Sequence, residues 1–380
     1  MRGLHLGPDG NITSATLFRL SRNSPGGVLF PRLEWLHWDI DGTHNALSSF
    51  RLFLSPRLKS AAFYVHPNQP VMPWGQVAAL AQILSFLPSS LEHLSLLCGQ
   101  VEEGPLRGKL SSLLLRYGPS LKGLFADIPM SETAIHHVMQ LPNLHRWIAI
   151  QGPPRTVPLS IFPSLEDLRL WNEAALPWLH LLASHGKGVV RKGSAPTKPH
   201  TNVRETLKFL SCFMNTVINS TFLSSVSKFR NLVALCVISV CPNPGDCIFR
   251  LTDDNVESLA AALPHLETLQ LGRPCLLNSC NTTVASLQSI SVHCPDLTSL
   301  EIHFKTRTIV GDMRRLLGER TRSGEPRCRL RELSVGNMPL GVGEKGIKTI
   351  AIGLRVIFPC LMDFPDSGGR WDEVKSKLED

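Results

Sequence analysis

The chain has 380 residues, a formal net charge of +8 and a pI near 9.1. Hydrophobic residues make up 43% and charged residues 18%, which excludes a disordered chain. No stretch approaches about 18 uninterrupted apolar residues, so no membrane span is expected.

Residues 1–29 show no clear repeat and are rich in Gly, Ser, Asn and Pro, so they read as a leader or linker. The opening Met1-Arg2-Gly3-Leu4-His5-Leu6 lacks the apolar core of a signal peptide. From residue 30 onward one phrase recurs: an apolar residue, a proline, then Leu-x-x-Leu. The clear copies are anchored at Leu33, Leu91, Leu121, Leu165, Leu232, Leu266, Leu297 and Leu330. Looser ones are anchored at Leu58, Leu144 and Leu361. The gap between Leu165 and Leu232 spans about two periods, and Leu207-Lys208-Phe209-Leu210 is the best candidate to fill it. A period of roughly 20–35 residues is the signature of a solenoid.

Each part of the phrase has a mechanical role. Leu-x-x-Leu-x-Leu is too short for a helix and ends in period two, so it predicts a short strand. Upstream of most copies lies a helical pattern, as in Val256-Glu257-Ser258-Leu259-Ala260-Ala261-Ala262-Leu263, preceded by Asp253 and Asp254. The proline then stops the helix. Stacked units bury what one strand and one helix cannot. The expected fold is α/β: a leucine-rich-repeat solenoid, or horseshoe, of roughly a dozen irregular units. Its parallel sheet lines the concave face and its helices lie outside. The solenoid is expected over 30–364, with an exposed Gly-, Pro- and Lys-rich loop at 184–202 and a charged cap or tail at 365–380.

Candidate chemistry is sparse. Gly341-Val342-Gly343-Glu344-Lys345-Gly346 matches G-x-G-x-x-G between a strand and a helix, and could hold dinucleotide phosphates or be a plain turn in a repeat. His136, His137 and His145 lack partners at metal-ligand spacing. The ten cysteines contain no C-x-x-C pair and read as reduced thiols. The basic stretch 314–331 carries Arg314, Arg315, Arg320, Arg322, Arg327, Arg329 and Arg331, without interleaved aromatics for base stacking. It reads first as a solvated loop, second as a site for an acidic protein, and third as a nucleic-acid contact. The expected working surface is the set of outward strand positions: His37, Asp39, Tyr64, Asp127, Arg169, Trp171, Gln270, Glu301 and His303.

Two phrases, Leu263-Pro264-His265-Leu266-Glu267-Thr268-Leu269-Gln270-Leu271 and Phe162-Pro163-Ser164-Leu165-Glu166-Asp167-Leu168-Arg169-Leu170, stand out beside the helix opening Leu251-Thr252-Asp253-Asp254. They resemble the F-box and leucine-rich-repeat proteins expanded in mushroom-forming fungi. The resemblance covers about residues 30–364. It implies a cytoplasmic or nuclear substrate receptor of a cullin-type ubiquitin ligase, in which an F-box docks the adaptor and the repeats hold a target protein. No F-box is legible here, so either truncation or loss is expected, and target binding carries over better than adaptor docking. The expected function is a non-catalytic protein-protein interaction solenoid without metal or cofactor. The alternatives are a nucleotide-binding enzyme using 341–346, or nucleic-acid binding through 314–331.

Overall fold

The computed structural model describes residues 2–6, 27–40, 52–65, 74–99, 104–158, 161–185, 202–215, 217–239, 251–272, 281–319, 328–335, 340–365 and 370–379, with residues 16, 19, 20 and 23. The loop expected at 184–202 lies almost wholly outside these residues, as do Arg320, Arg322 and Arg327 of the basic stretch.

Most units open with a turn. Leu33 donates its N–H to the Phe30 carbonyl at 3.0 Å, and the same bond closes Ser55–Leu58 at 3.1 Å, Phe229–Leu232 at 3.1 Å, Cys294–Leu297 at 3.3 Å and Phe358–Leu361 at 3.1 Å. Proline occupies the second position in four of these five turns, where its fixed φ suits the turn. It therefore shapes the turn as well as stopping the preceding helix. The anchoring leucines Leu33, Leu58, Leu91, Leu121, Leu144, Leu165, Leu207, Leu232, Leu266, Leu297 and Leu330 are all 0% exposed. The expected unit at Leu207 is thus present in the fold.

Beyond each anchor the chain extends. The strands are β1 (Gly3–Leu6), β2 (Trp35–Ile40), β3 (Ser60–Val65), β4 (His93–Leu97), β5 (Gly123–Ala126), β6 (Arg146–Ala149), β7 (Asp167–Trp171), β8 (Phe209–Met214), β9 (Ala234–Ser239), β10 (Thr268–Leu271), β11 (Ser299–Ile302) and β12 (Glu332–Ser334). They form a 12-stranded open parallel sheet in chain order. The fold is the α/β leucine-rich-repeat solenoid that the phrase predicts. One correction falls at the N-terminus: Gly3–Leu6, inside the stretch read as leader, pairs in register with Trp35–Trp38 as the first strand. Leu4-His5-Leu6 has the alternation of the other strands but lacks the proline and anchor that mark them.

The helices are α1 (Trp74–Phe86), α2 (Gly104–Leu114), α3 (Glu132–Gln140), α4 (Ala175–Ser184), α5 (Val203–Thr206), α6 (Ser220–Val226), α7 (Asp253–Ala262), α8 (Val284–His293), α9 (Ile309–Glu319), α10 (Glu344–Ile357) and α11 (Arg370–Glu379). Among the described residues no helix is long and apolar enough to cross a membrane.

The chain divides into two compact units. One comprises Met1–Leu168 with Arg191–Val203, the other Arg169–Val190 with Arg204–Asp380. In the first, Leu36, Ala61, Leu94, Leu124 and Trp147 share one register column and are buried. In the second, Leu210, Leu235, Leu269, Leu300 and Leu333 do the same. Alternate strand residues stay part-exposed, so each unit keeps an open strand face.

A forked hydrogen bond links successive units. The carbonyl that follows most anchor leucines accepts two consecutive N–H groups of the next unit. Glu34 O receives Lys59 and Ser60 at 2.7 and 3.0 Å, and Glu267 O receives Thr298 and Ser299 at 2.8 and 3.1 Å. The same fork recurs at Lys59, Glu92, Lys122, His145, Lys208, Val233, Thr298 and Arg331.

The helix layer has its own ties. Thr252 and Asn255 form a capping box at the start of α7. Asp253 then reaches the next unit, accepting from Thr283 N and Thr283 Oγ1 at 2.7 Å each and from Ser286 Oγ at 2.5 Å. At the end of the second unit, Trp371 of α11 is fully buried against Phe304 and Phe364. Gly353 of α10 sits so close to α9 that an added Cβ would lie 2.4 Å from Met313 Sδ.

Asp253 makes a specific prediction. Asp253→Ala leaves three donors of the α8 start without their acceptor, and should lower unfolding free energy by about 1–3 kcal/mol. Urea denaturation measures this, and an unchanged midpoint would refute the tie between α7 and α8.

Candidate functional site

In the first unit the open face gathers polar and aromatic side chains at its N-terminal strands. Parallel register sets His5 of β1 beside His37 of β2, and Asp39 beside Tyr64 of β3. His5 Nε2 lies 3.1 Å from Asp39 Oδ2, and His37 Nε2 lies 3.0 Å from Asp39 Oδ1. The His37 ring stacks on Tyr64 with centroids 4.6 Å apart, and Ser95 Oγ donates to the Tyr64 hydroxyl at 3.4 Å. His37, Asp39 and Tyr64 thus form one cluster. His5 completes it and was not singled out from the sequence, because it lies in the segment read as leader.

Asp127 has a different role. Its carboxylate accepts the N–H groups of Cys98 and Gly99 at 2.7–2.9 Å, closing the end of β4. Burial pushes its carboxyl above the usual aspartate value, and the backbone donors oppose that rise. It holds a turn, a use that spacing alone does not reveal. The three histidines read as lacking metal partners behave similarly, each reaching a backbone carbonyl. His136 reaches Thr156 at 2.5 Å, His137 reaches Tyr117 at 2.7 Å and His145 reaches Ser164 at 2.9 Å.

In the second unit Arg169 and Trp171 are exposed on β7, and the Trp171 indole leans on Phe213 of β8 with centroids 4.9 Å apart. A polar row follows on the next strands. Cys236 Sγ donates to Gln270 Oε1 at 2.6 Å, and Gln270 Nε2 donates to Glu301 Oε2 at 2.6 Å. Gln270 and Glu301 therefore stand together, with Trp171 and Phe213 on the same unit. Phe213 and Cys236 escaped the sequence reading, since neither residue type signals a surface.

His303 departs from expectation. It was read as an outward position, yet it is 7% exposed and its Nε2 has no hydrogen-bond partner among the described residues. β11 ends at Ile302, so the strict alternation of the strand no longer sets the direction of this side chain. Burial lowers its pKa to about 4.

Burial pushes the Cys98 and Cys212 thiols up, Cys294 to about 12 and Cys328 to about 11, so none is a thiolate at neutral pH. The glycine-rich turn is local packing at its third glycine, where a Cβ on Gly346 would lie 2.9 Å from Val342 Cβ. Gly343 has φ −79° and caps α10 without a side-chain bond. Strands in plain chain order offer no switch point of the kind where open α/β sheets hold nucleotides.

His303 predicts a pH dependence of stability. Its folded pKa lies below the usual imidazole value of 6.5, so the unfolded chain binds the proton first as pH falls. Its contribution is complete above about 6.5 and is lost progressively towards about 4. His303→Leu should flatten that part of the stability profile, measured by urea denaturation across the range. An unaltered slope would show that the imidazole titrates normally in the fold.

Comparison with known proteins adds little. No protein-family profile matches the chain, and no curated protein matches it. Among solved structures, a crystal structure of a Bacteroides fragilis protein from a structural genomics programme is similar to it, with a TM-score of 0.39 and 11% identity. That likeness covers 71% of this chain and 74% of the other.

Proposed function

We propose that this chain is a non-catalytic protein-binding solenoid that holds a polypeptide partner on its open strand face. The observation that carries this reading is the Trp171–Phe213 pair. Trp171 is 40% exposed and its ring lies tilted against the Phe213 ring, with centroids 4.9 Å apart. A rigid, half-exposed indole is the residue type that most often anchors a protein interface. The Cys236–Gln270–Glu301 row beside it offers the polar groups that fix the register of an extended chain. Repeat solenoids commonly use such surfaces for extended partners.

The resemblance to F-box proteins extends the proposal to substrate recognition in a cullin-type ubiquitin ligase. That extension is tested separately from binding itself. Affinity purification of the full chain from fungal lysate, read by mass spectrometry, should enrich a protein that Trp171→Ala and Phe213→Ala both lose by more than about tenfold. The cullin adaptor should accompany it if the ligase extension holds. Equal enrichment by the wild type and both variants would refute the assigned face. Absence of the adaptor would remove the ligase role and leave the binding role.

Among the described residues, the nucleotide-binding alternative has only the placement of Gly343 at the start of α10 in its favour. A thermal shift assay with NAD or ATP at millimolar concentration should leave Tm unchanged, because only a bound ligand raises it. A reproducible rise abolished by Gly343→Ala would reinstate that reading.

A further inference from the structure

We propose that His5, His37 and Asp39 form a binding site for a divalent transition cation of the zinc type on the open face of the first unit. Among the described residues, these three offer ligand atoms that all lie within 4.8 Å of one another. The arrangement follows from strand geometry. His5 and His37 are register partners on adjacent parallel strands, so their side chains leave the same face. Asp39 is two residues beyond His37, which returns it to that face.

The chemistry of the donor set is selective. Both imidazoles present Nε2, the distal nitrogen, to one carboxylate, one at each oxygen. Without metal, that geometry is two N–H···O bonds at 3.1 and 3.0 Å. With metal, the two Nε2 atoms and one Asp39 oxygen become vertices of a coordination shell. Zinc–nitrogen and zinc–oxygen bonds of about 2.0–2.2 Å in tetrahedral geometry place neighbouring ligand atoms roughly 3.3 Å apart. The ligand atoms lie within 4.8 Å of one another, so the widest pair closes by up to about 1.5 Å, within reach of side-chain rotation, and each neutral imidazole carries its proton on Nδ1 when Nε2 binds the cation. Two imidazoles and a carboxylate suit zinc, cobalt, nickel, copper or ferrous iron, and suit magnesium or calcium poorly.

The surroundings hold the ligands in place. The Tyr64 ring lies 17° from parallel to His37, which restrains the imidazole plane, and Ser95 tethers the Tyr64 hydroxyl. The His5 and His37 rings meet edge to face at 4.3 Å. The three protein ligands leave at least one coordination position open, and the His5 side chain is 57% exposed. Water or a donor from a bound partner can complete the shell. Surface histidines bonded to an aspartate are often no more than that. Here, however, both distal nitrogens converge on the two oxygens of one carboxylate from a rigid sheet.

The test uses the full chain with any affinity tag removed. Cobalt(II) titration followed by visible absorbance reports ligand number, and zinc(II) calorimetry reports stoichiometry and affinity. One cation per chain is expected at this site, with tetrahedral or five-coordinate cobalt bands. His5→Ala, His37→Ala and Asp39→Asn should each weaken binding by more than about tenfold, the loss that even an outer-shell change can bring. All three positions face solvent, and circular dichroism checks that each variant is folded. His145→Ala serves as a control for histidine outside the cluster and should leave affinity unchanged. No binding at 100-fold molar excess of zinc, or binding unchanged in the three variants, would overturn the proposal. Neither result bears on the polypeptide-binding face, which is tested without metal.

Discussion

The forked hydrogen bond after the anchor leucines is the constraint on which the rest depends. A carbonyl that accepts two successive N–H groups, at 2.7–2.9 Å and 2.9–3.1 Å, fixes where the next strand begins. Side chains in a strand alternate with period two, so a slip of one residue would exchange the core and open faces. The anchor leucine, buried one position earlier, prevents that slip by fitting only inward. Backbone and side chain thus specify the same register, and the columns Leu36–Ala61–Leu94–Leu124 and Leu210–Leu235–Leu269–Leu300–Leu333 follow. Most residues placed on the open face owe their position to this fork.

The residue carrying the forked carbonyl also carries a side chain, and its column shows a second kind of order. In the first unit it reads Arg2, Glu34, Lys59, Glu92, Lys122 and His145. Parallel strands stack at about 4.8 Å, a spacing at which like charges would repel. The alternation of sign answers this. Arg2 and Glu34 approach to 3.8 Å, and Lys122 bonds Glu92 at 2.7 Å. The Lys122 bond, aided by the charge of Lys59, holds the Glu92 carboxyl below its usual value. Such exposed pairs stabilise little one by one. Their alternation removes a repulsion that a column of one sign would impose. In the second unit the column reads Lys208, Val233, Glu267, Thr298 and Arg331, where apolar or neutral residues separate the charges.

How far the sequence revealed this depended on what each residue had to do. The anchors were legible because burial of leucine at fixed spacing leaves a periodic trace. Even the degenerate copies at Leu58 and Leu144 proved fully buried. The helix Arg370–Glu379 was legible because Trp371 lies among charged residues in a helical pattern, and an isolated large apolar residue there must find cover. The first strand was not, since Leu4-His5-Leu6 is too short to show a period. The roles of Asp127 and His303 were not legible either. Both depend on the bend that ends a strand, where period two lapses and the side chain follows local backbone geometry. Cys98 and Gly99 had to curve back to present their N–H groups before Asp127 could be recognised as their acceptor.

The division of labour between the two faces of the sheet explains why polar clusters persist on this scaffold. Stability resides in the leucine columns, the forks and the helix ties at Asp253, none of which uses an open-face side chain. An imidazole pair at His5 and His37, or an exposed indole at Trp171, can therefore be held on a rigid strand without disturbing the core. The rigidity matters more than the residue types. His37 and Asp39 on one strand and His5 on its neighbour keep their separations because the strands are bonded in register at both ends of the cluster. A loop carrying the same three residues would have to be ordered before they could converge, at a conformational cost that the sheet has already met in folding.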